Sequence, residues 1–123
     1  MTRACRALPY ISAMPTPEEF FAIEMRVGTV LEASAFPEAR KPSIKLRIDF
    51  GPDLGTRQSS AQLTVHYQPD ALVGRQVVAV MNIGTRKIAG FTSEVLVLGG
   101  MPTETEVVLL RTDQPVANGT RIG

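Results

Sequence analysis

The sequence predicts an all-β fold, a small barrel of five main strands, and three observations support this prediction. Five segments carry the aliphatic or alternating patterns that are typical of strands. Ten glycines and nine prolines lie mostly between these segments, where tight turns are required. One helical stretch separates the third and fourth strand candidates. The 123 residues, 44% hydrophobic and 20% charged, are typical of one globular domain.

The first predicted element is a short N-terminal helix. Thr16 is a suitable N-cap, Pro17 suits the first helical position, and Glu19 can complete a capping box. Phe20 and Phe21 give this helix an apolar side. Two roles stay open for these rings, because they can plug one end of the barrel or contact a second subunit.

The first three strand candidates are 26–36, 44–50 and 57–63. Gly28 lies inside the first, which indicates a bulge or a sharp bend that lets the barrel close. In the second, aliphatic and charged residues alternate strictly, so that one face is apolar and the other charged. The loop between these two strands carries Arg40 and Lys41 at its tip.

The helical segment that follows begins at Pro69 and ends at Gly74. The fourth strand candidate, 76–83, is apolar on both faces, which is typical of a central, buried strand. The fifth is 91–98, and the glycine pair 99–100 is expected to end it. Residues 101–123, with a short strand at 107–110, would lie outside the barrel.

Five strands with a helix between the third and fourth is the element order of an OB-fold. We expect one such domain over residues 15–123, with its C-terminal part as an extension. We interpret residues 1–14 as a disordered leader, although a weak targeting tail is an alternative.

Composition argues against several classes of function. Cys5 is the single cysteine and His66 the single histidine, so neither an internal disulfide nor a histidine-cysteine zinc cluster can form within the chain. The aliphatic runs at 77–81 and 95–98 are far shorter than the roughly eighteen residues of a membrane span. The sequence also lacks the nucleophile elbow and the P-loop. We therefore expect no enzyme, no metal, no cofactor and no membrane insertion.

Several blocks of the sequence closely resemble the CsaA family. They are SSAQLT at 59–64, RKIAGF at 86–91 and SEVLVLGG at 93–100, together with IEMRVGTV at 23–30 and NGTRI at 118–122. This family is similar to the tRNA-binding OB domains of methionyl- and phenylalanyl-tRNA synthetases. The resemblance implies a cytosolic homodimer with tRNA-binding character and a proposed chaperone role in protein export.

The chain departs from the family pattern just before the basic turn at Arg86. The family usually has an aromatic residue and two prolines there, and this chain has Ile83-Gly84-Thr85. The turn therefore lacks a ring that could stack and two residues that would stiffen it.

Positive side chains are expected to gather at one rim of the barrel, although the net charge is only +1. OB-folds bind oligonucleotides across strands two and three and the bordering loops. The cations placed there by the pattern are Lys45, Arg47, Arg57, Arg86 and Lys87. For Lys45 and Arg47, a solvated face balanced by acidic residues is an equal alternative.

Asn82 and Ser93 lie at strand ends beside this rim. Either side chain can hydrogen-bond a base edge or a ribose hydroxyl, or can instead tie down its own loop. The family resemblance favours contact with the ligand for both.

The sequence thus predicts a non-catalytic, cytoplasmic protein that binds tRNA or another structured RNA through a basic rim. The alternative is an export-related chaperone that binds unfolded precursor polypeptides in a groove at a dimer interface, with the export machinery as a further partner. Apolar residues outside the barrel support this alternative, and they are Phe20, Phe21, Met101, Val108 and Leu110. A third hypothesis is a structural domain that recruits a partner protein.

Overall fold

The computed structural model describes residues 14–123, so the expectation for residues 1–13 lies outside the described residues. Two helices, nine strands and their connections make up the described chain. They are α1 (Pro17–Ala22), β1 (Met25–Ala35), β2 (Ile44–Asp49), β3 (Thr56–Ala61), α2 (Pro69–Leu72), β4 (Gln76–Val80), β5 (Arg86–Ile88), β6 (Phe91–Ser93), β7 (Leu96–Val97), β8 (Gly99–Thr103) and β9 (Glu106–Leu109).

The main sheet has five antiparallel strands in the order β3-β2-β1-β4-β7. It curls until β3 meets the segment that joins β6 to β7. There the Glu94 amide donates to the Gln58 carbonyl at 2.8 Å, and the buried Ser59 hydroxyl donates to the Val95 carbonyl at 2.8 Å. The predicted five-stranded OB-fold is confirmed as a nearly closed barrel.

The barrel interior holds the apolar residues that the alternating pattern assigned to it. Ile44, Leu46 and Ile48 of β2 are each 2% exposed or less, and β4 is buried over 77–80. Leu72 of α2 joins the same core and is fully buried. The helical segment between the third and fourth main strands is therefore confirmed, as is the central position of β4.

Gly28 does not mark the bulge of β1, which was one of its two predicted roles. The register shift lies between Val30 and Glu32 instead. A Cβ atom on Gly28 would lie 2.6 Å from Ile48 Cγ2 and 2.7 Å from the Phe50 ring. Glycine at this position therefore allows close packing of the barrel interior against the strand.

The fifth predicted strand, 91–98, is two strands with different partners. β6 pairs with β5, which the sequence placed in a turn, and β7 pairs with β4. β7 ends before glycines 99–100, as predicted, but these glycines also open a further strand, because β8 begins at Gly99 and pairs with β9. A Cβ atom on Gly99 would lie 2.6 Å from the Val108 carbonyl oxygen, so glycine lets the two strands approach.

The C-terminal residues do not all lie outside the barrel, contrary to the sequence prediction. The first half of β1 has a free edge, and residues 119–122 pair with it. The Gly119 amide donates to the Val27 carbonyl at 2.7 Å, and the Ile122 amide donates to the Met25 carbonyl at 3.0 Å. The closing NGTRI block therefore completes the barrel wall.

Candidate nucleic-acid interface

A basic cleft opens between two loops at one rim of the barrel. One wall is the β1–β2 loop with Arg40 and Lys41, and the other is the β5–β6 hairpin with Arg86 and Lys87. All four of these side chains are exposed, and the cleft has a volume of about 520 Å³. We call this space the basic cleft.

Polar groups contribute part of the remaining lining of the basic cleft, beside the apolar residues Ala39, Ile88 and Ala89. Ser43, Ser60 and Gln62 line it together with one acidic residue, Glu38. Hydroxyl and amide groups beside four cations match the mixed phosphate and ribose surface of a nucleic-acid backbone. In the part of the chain that the structure describes, salt bridges join Arg26 to Glu24 and Arg47 to Glu32, and the His66 ring contacts Glu106. None of these contacts involves the four cleft cations.

The β5–β6 hairpin holds its two cations by a tight turn and by anchoring to β3. Its two-residue turn has positive φ at both positions, 48° at Ala89 and 84° at Gly90, as a type I′ hairpin requires. The Gln58 side-chain amide donates to the Thr92 carbonyl at 2.8 Å, which fixes β6 against the barrel. The hairpin is thus held at both ends without the prolines that the family pattern has.

Arg40 and Lys41 are the functional candidates that sequence reasoning located on a loop but did not assign to the site. The signal was available, because the loop between strands one and two borders the binding face of OB-folds. What the sequence does not reveal is that this loop and the β5–β6 hairpin face each other across one cleft.

The two predicted cations of β2 lie on the outer face of the sheet and are already engaged within the protein. The Lys45 ammonium lies 4.5 Å from the ring centroid of the buried Phe36 and 5.3 Å from that of Phe91. Arg47 donates two hydrogen bonds to the Glu32 carboxylate, at 3.0 and 3.1 Å. The hydrogen bonds and charge of Arg47 lower the pKa of Glu32, and Glu32 raises the pKa of Arg47 in the same way.

Arg57 does not join the other predicted cations. It is opposite Ile48 in the register of β3 and β2, and Ile48 faces the barrel interior. Directly opposed residues of an antiparallel pair point to the same face. Arg57 is therefore on the inner-face row of β3, and it lines neither the basic cleft nor the outer face near Arg47.

Ser93 and Asn82 have structural partners, which is the second of the two roles considered for them. Ser93 is 9% exposed, and its hydroxyl accepts from the Ser60 amide at 3.2 Å. The Asn82 side chain accepts from the Glu24 amide at 2.8 Å and donates to the Ala22 carbonyl at 2.7 Å. Ser93 belongs to the buried barrel wall, which corrects the expectation that its side chain points toward a ligand. Asn82 fixes the chain that follows α1 but is exposed, so its contact with a ligand stays a prediction.

The apolar residues predicted for a dimer interface or a peptide groove are exposed. Their exposed fractions run from 41% for Phe20 and Val108 to 62% for Met101, with Leu110 at 48% and Phe21 at 53%. Helix α1 buries none of its residues, so the hypothesis that Phe20 and Phe21 plug the barrel is wrong. The capping box of α1 is formed as predicted, by Thr16 and Glu19.

Residues 14–123 also bear on membrane insertion and metal binding. None of the helices described there is both long and apolar enough to cross a membrane. Within the same residues, His, Cys, Asp and Glu form no group of three or more that could hold a metal ion.

Known proteins resemble this chain in sequence and in structure. The family model described as "Putative tRNA binding domain" matches residues 25–121. The crystal structure of the chaperone CsaA from Bacillus anthracis str. Ames superposes with a TM-score of 0.85 and 51% identity, covering 89% of this chain and 99% of that one. The CsaA chaperone protein from Picrophilus torridus gives 0.81 and 43%, covering 89% and 100%.

Methionine–tRNA ligases contain a related segment. The ligase from Rhodopirellula baltica is 38% identical over 107 residues, which are 87% of this chain and 16% of the ligase. The ligase from Porphyromonas gingivalis is 35% identical over 105 residues, 85% of this chain and 15% of the ligase. The chain therefore spans only about 15% of the length of the curated relatives that it matches.

Barrel, cleft and family match together define the class of this protein, a tRNA-binding domain built on an OB-fold. Within this class the chain belongs to the CsaA type, and the family resemblance predicted from the sequence is confirmed.

Proposed function

We propose that this chain is a non-catalytic RNA-binding protein that binds tRNA or another folded RNA through the basic cleft. The observation that carries the proposal is that four exposed cations from two separate loops face one cleft. Phosphate contacts supply most of the affinity of proteins for nucleic acid and need no base sequence. A cleft of cations, hydroxyls and amides suits recognition of backbone shape.

Only part of the predicted set of RNA-contact residues supports this function. Arg86 and Lys87 stay as predicted phosphate contacts, and Arg40 and Lys41 join them. Lys45 contributes positive charge on the adjoining outer face, where the rings hold its ammonium. Arg57 is excluded from the proposed contact set because of its inner-face position.

The proposal is tested by neutralising two cations of the cleft, with Arg86→Gln and Lys87→Gln in one variant. The matched control is Arg57→Gln with Arg111→Gln, which lowers the net charge equally at positions that do not line the cleft. Binding of a fluorescent tRNA transcript is measured by anisotropy at fixed ionic strength. We expect at least about tenfold weaker binding for the cleft variant and less than about twofold for the control. Equal losses in both variants would contradict the proposal.

A second function is supported by the exposed apolar residues on α1 and around the β8–β9 hairpin. We propose that they form a homodimer interface, with a groove that takes unfolded polypeptide, and that residues beyond the barrel strands act as the dimerisation extension. Exposed rings and aliphatic side chains on this scale are typical of protein contact sites. The two CsaA structures are named chaperones, which agrees with this role.

Light scattering at micromolar concentration tests the dimer, and Met101→Asp with Val108→Asp tests the interface. We expect a dimer that becomes monomeric in the double variant, because two carboxylates would be buried without partners. A wild-type monomer would contradict the dimer and the groove together. A chaperone of this kind would act in the cytoplasm and hand precursors to the export machinery, and the single cysteine fits a reducing compartment.

A further inference from the structure

The outer face of the sheet beside the basic cleft carries a second, smaller groove. It has a volume of about 210 Å³, and Glu32, Lys45, Arg47, Gln58 and Phe91 line it. We call this space the outer groove. Lys45 is opposite Ser60 in the sheet register, and Ser60 lines the basic cleft, so the groove and the cleft adjoin.

The outer groove differs from the basic cleft in its electrostatics. Register places Glu32, Arg47 and Gln58 in one row across β1, β2 and β3. The bidentate contact between Arg47 and Glu32 uses the planar fork of the guanidinium and leaves the pair with no net charge. A phosphate placed there would meet the Lys45 ammonium, which the Phe36 and Phe91 rings already hold. It would also meet the Glu32 carboxylate and would have to compete for an arginine that is already hydrogen-bonded.

This difference bears on which shape of RNA the protein accepts. An extended single strand bound to an OB-fold runs across strands two and three, so it would cross the outer groove. A folded RNA that touches only the rim would contact the cations of the basic cleft and need not cross the sheet. The two shapes therefore place phosphates in different electrostatic surroundings.

We propose that Glu32 is a specificity-determining residue, which restrains Arg47 and repels phosphates so that the β2–β3 face disfavours extended single-stranded RNA. Binding of folded RNA in the basic cleft is left intact. This inference rests on the proposed RNA-binding function and adds the reason for its preference for folded RNA.

The test compares a 12-nucleotide oligouridylate with a folded tRNA transcript, for wild type and for Glu32→Gln. The glutamine has the shape of glutamate but no charge, so Arg47 becomes free to contact phosphate. We expect the oligouridylate to bind about two- to fivefold more tightly, with tRNA affinity changed less than about 1.5-fold. The control is Glu104→Gln, which removes one exposed acid from the turn between β8 and β9.

A double-mutant cycle with Arg47 separates the restraint from simple repulsion. We expect Arg47→Gln alone to weaken oligouridylate binding, because it leaves the Glu32 carboxylate unpaired, and Glu32→Gln with Arg47→Gln to lose most of the gain. An unchanged ratio of the two affinities in Glu32→Gln, an equal effect in Glu104→Gln, or a full gain without Arg47 would each overturn the inference. Failure of the proposed function is a different result, because wild type would then bind neither RNA measurably or the cleft variant would bind tRNA normally.

Discussion

The sharpest consequence of the basic cleft is the salt dependence of RNA binding. Each lysine or arginine that neutralises a phosphate releases condensed counterions, so the logarithm of the binding constant falls linearly with the logarithm of salt concentration. The perturbation is the double substitution of Arg86 and Lys87 by glutamine. It removes two of the four cations that line the cleft.

The structure sets the size of the effect. Four contacts predict a slope of about −2.8 with the coefficient for single strands and about −3.6 with that for duplexes. Between 50 and 200 mM salt, wild-type affinity should then fall by roughly 50- to 150-fold. With two contacts left, the slope should be about −1.4 to −1.8 and the loss roughly 7- to 12-fold.

Fluorescence anisotropy with a labelled tRNA transcript, measured at five or more potassium chloride concentrations, gives the slope directly. The ratio of the two slopes matters more than either value, because a dimer with two clefts on one RNA would double both. A variant that binds more weakly but keeps the wild-type slope would refute the reasoning. The two side chains would then act by shaping the hairpin and not by contacting phosphates.

Three further predictions concern the barrel and the ion pair. Gly28→Ala should lower the free energy of unfolding by about 1–3 kcal/mol, since its Cβ would overlap Ile48, whereas Gly100→Ala should change it by less than about 0.5 kcal/mol in the same urea titrations. Ser59→Ala should cost about 1–3 kcal/mol in urea unfolding, because the Val95 carbonyl loses the closer of its two hydroxyl donors and keeps the Ser93 hydroxyl at 3.5 Å, and an unchanged midpoint would contradict that role. Glu32 should titrate below the ordinary glutamate pKa by carbon-detected NMR. Its ion pair is therefore complete at neutral pH and is lost as the pH falls through the lowered value, and Arg47→Gln should return the pKa to the ordinary value.

The sequence predicted the barrel well where a repeating pattern dictates the structure. The alternation over Ile44 to Phe50 placed every inward side chain of β2 correctly, and the apolar run of β4 marked the strand between β1 and β7. Patterns of period two depend only on which face is buried, so they can be read from one strand at a time.

The predictions that failed depend on contacts between distant segments. Gly28 looked like a bulge because a glycine weakens any strand, but the space at this position is taken by Ile48 of β2 and by the Phe50 ring just after β2. Ser93 looked available because hydroxyls often bind ligands, but Ser60 and the barrel wall enclose it. The C-terminal block had no strand pattern at all, and its pairing follows from the free edge of β1.

Only one wall of the candidate site was predicted from the sequence, for the same reason. Arg86 and Lys87 could be recognised from the basic turn alone, but the opposite wall of the cleft needed the barrel to close first. Arg57 is the opposite case. Its positive charge suggested a contact with RNA, but the strand register places it on the inner-face row of β3. Register between strands is set by the whole sheet, so a list of cations cannot supply it.

A net charge of +1 is compatible with a basic cleft because of where the acids lie. Several carboxylates hold the protein's own groups. Glu19 caps α1, Glu32 pairs with Arg47, and Glu94 accepts from the Gln58 amide at 2.9 Å. Glu106 lies 2.7 Å from the His66 ring and so joins the β8–β9 hairpin to the segment before α2.

Negative charge used in this way stabilises caps, strands and hairpins, and it leaves Glu38 as the acid beside the four cations of the cleft. The local field that an RNA backbone meets depends on the cations within about one Debye length, roughly 8 Å at physiological salt, and not on the sum over the chain.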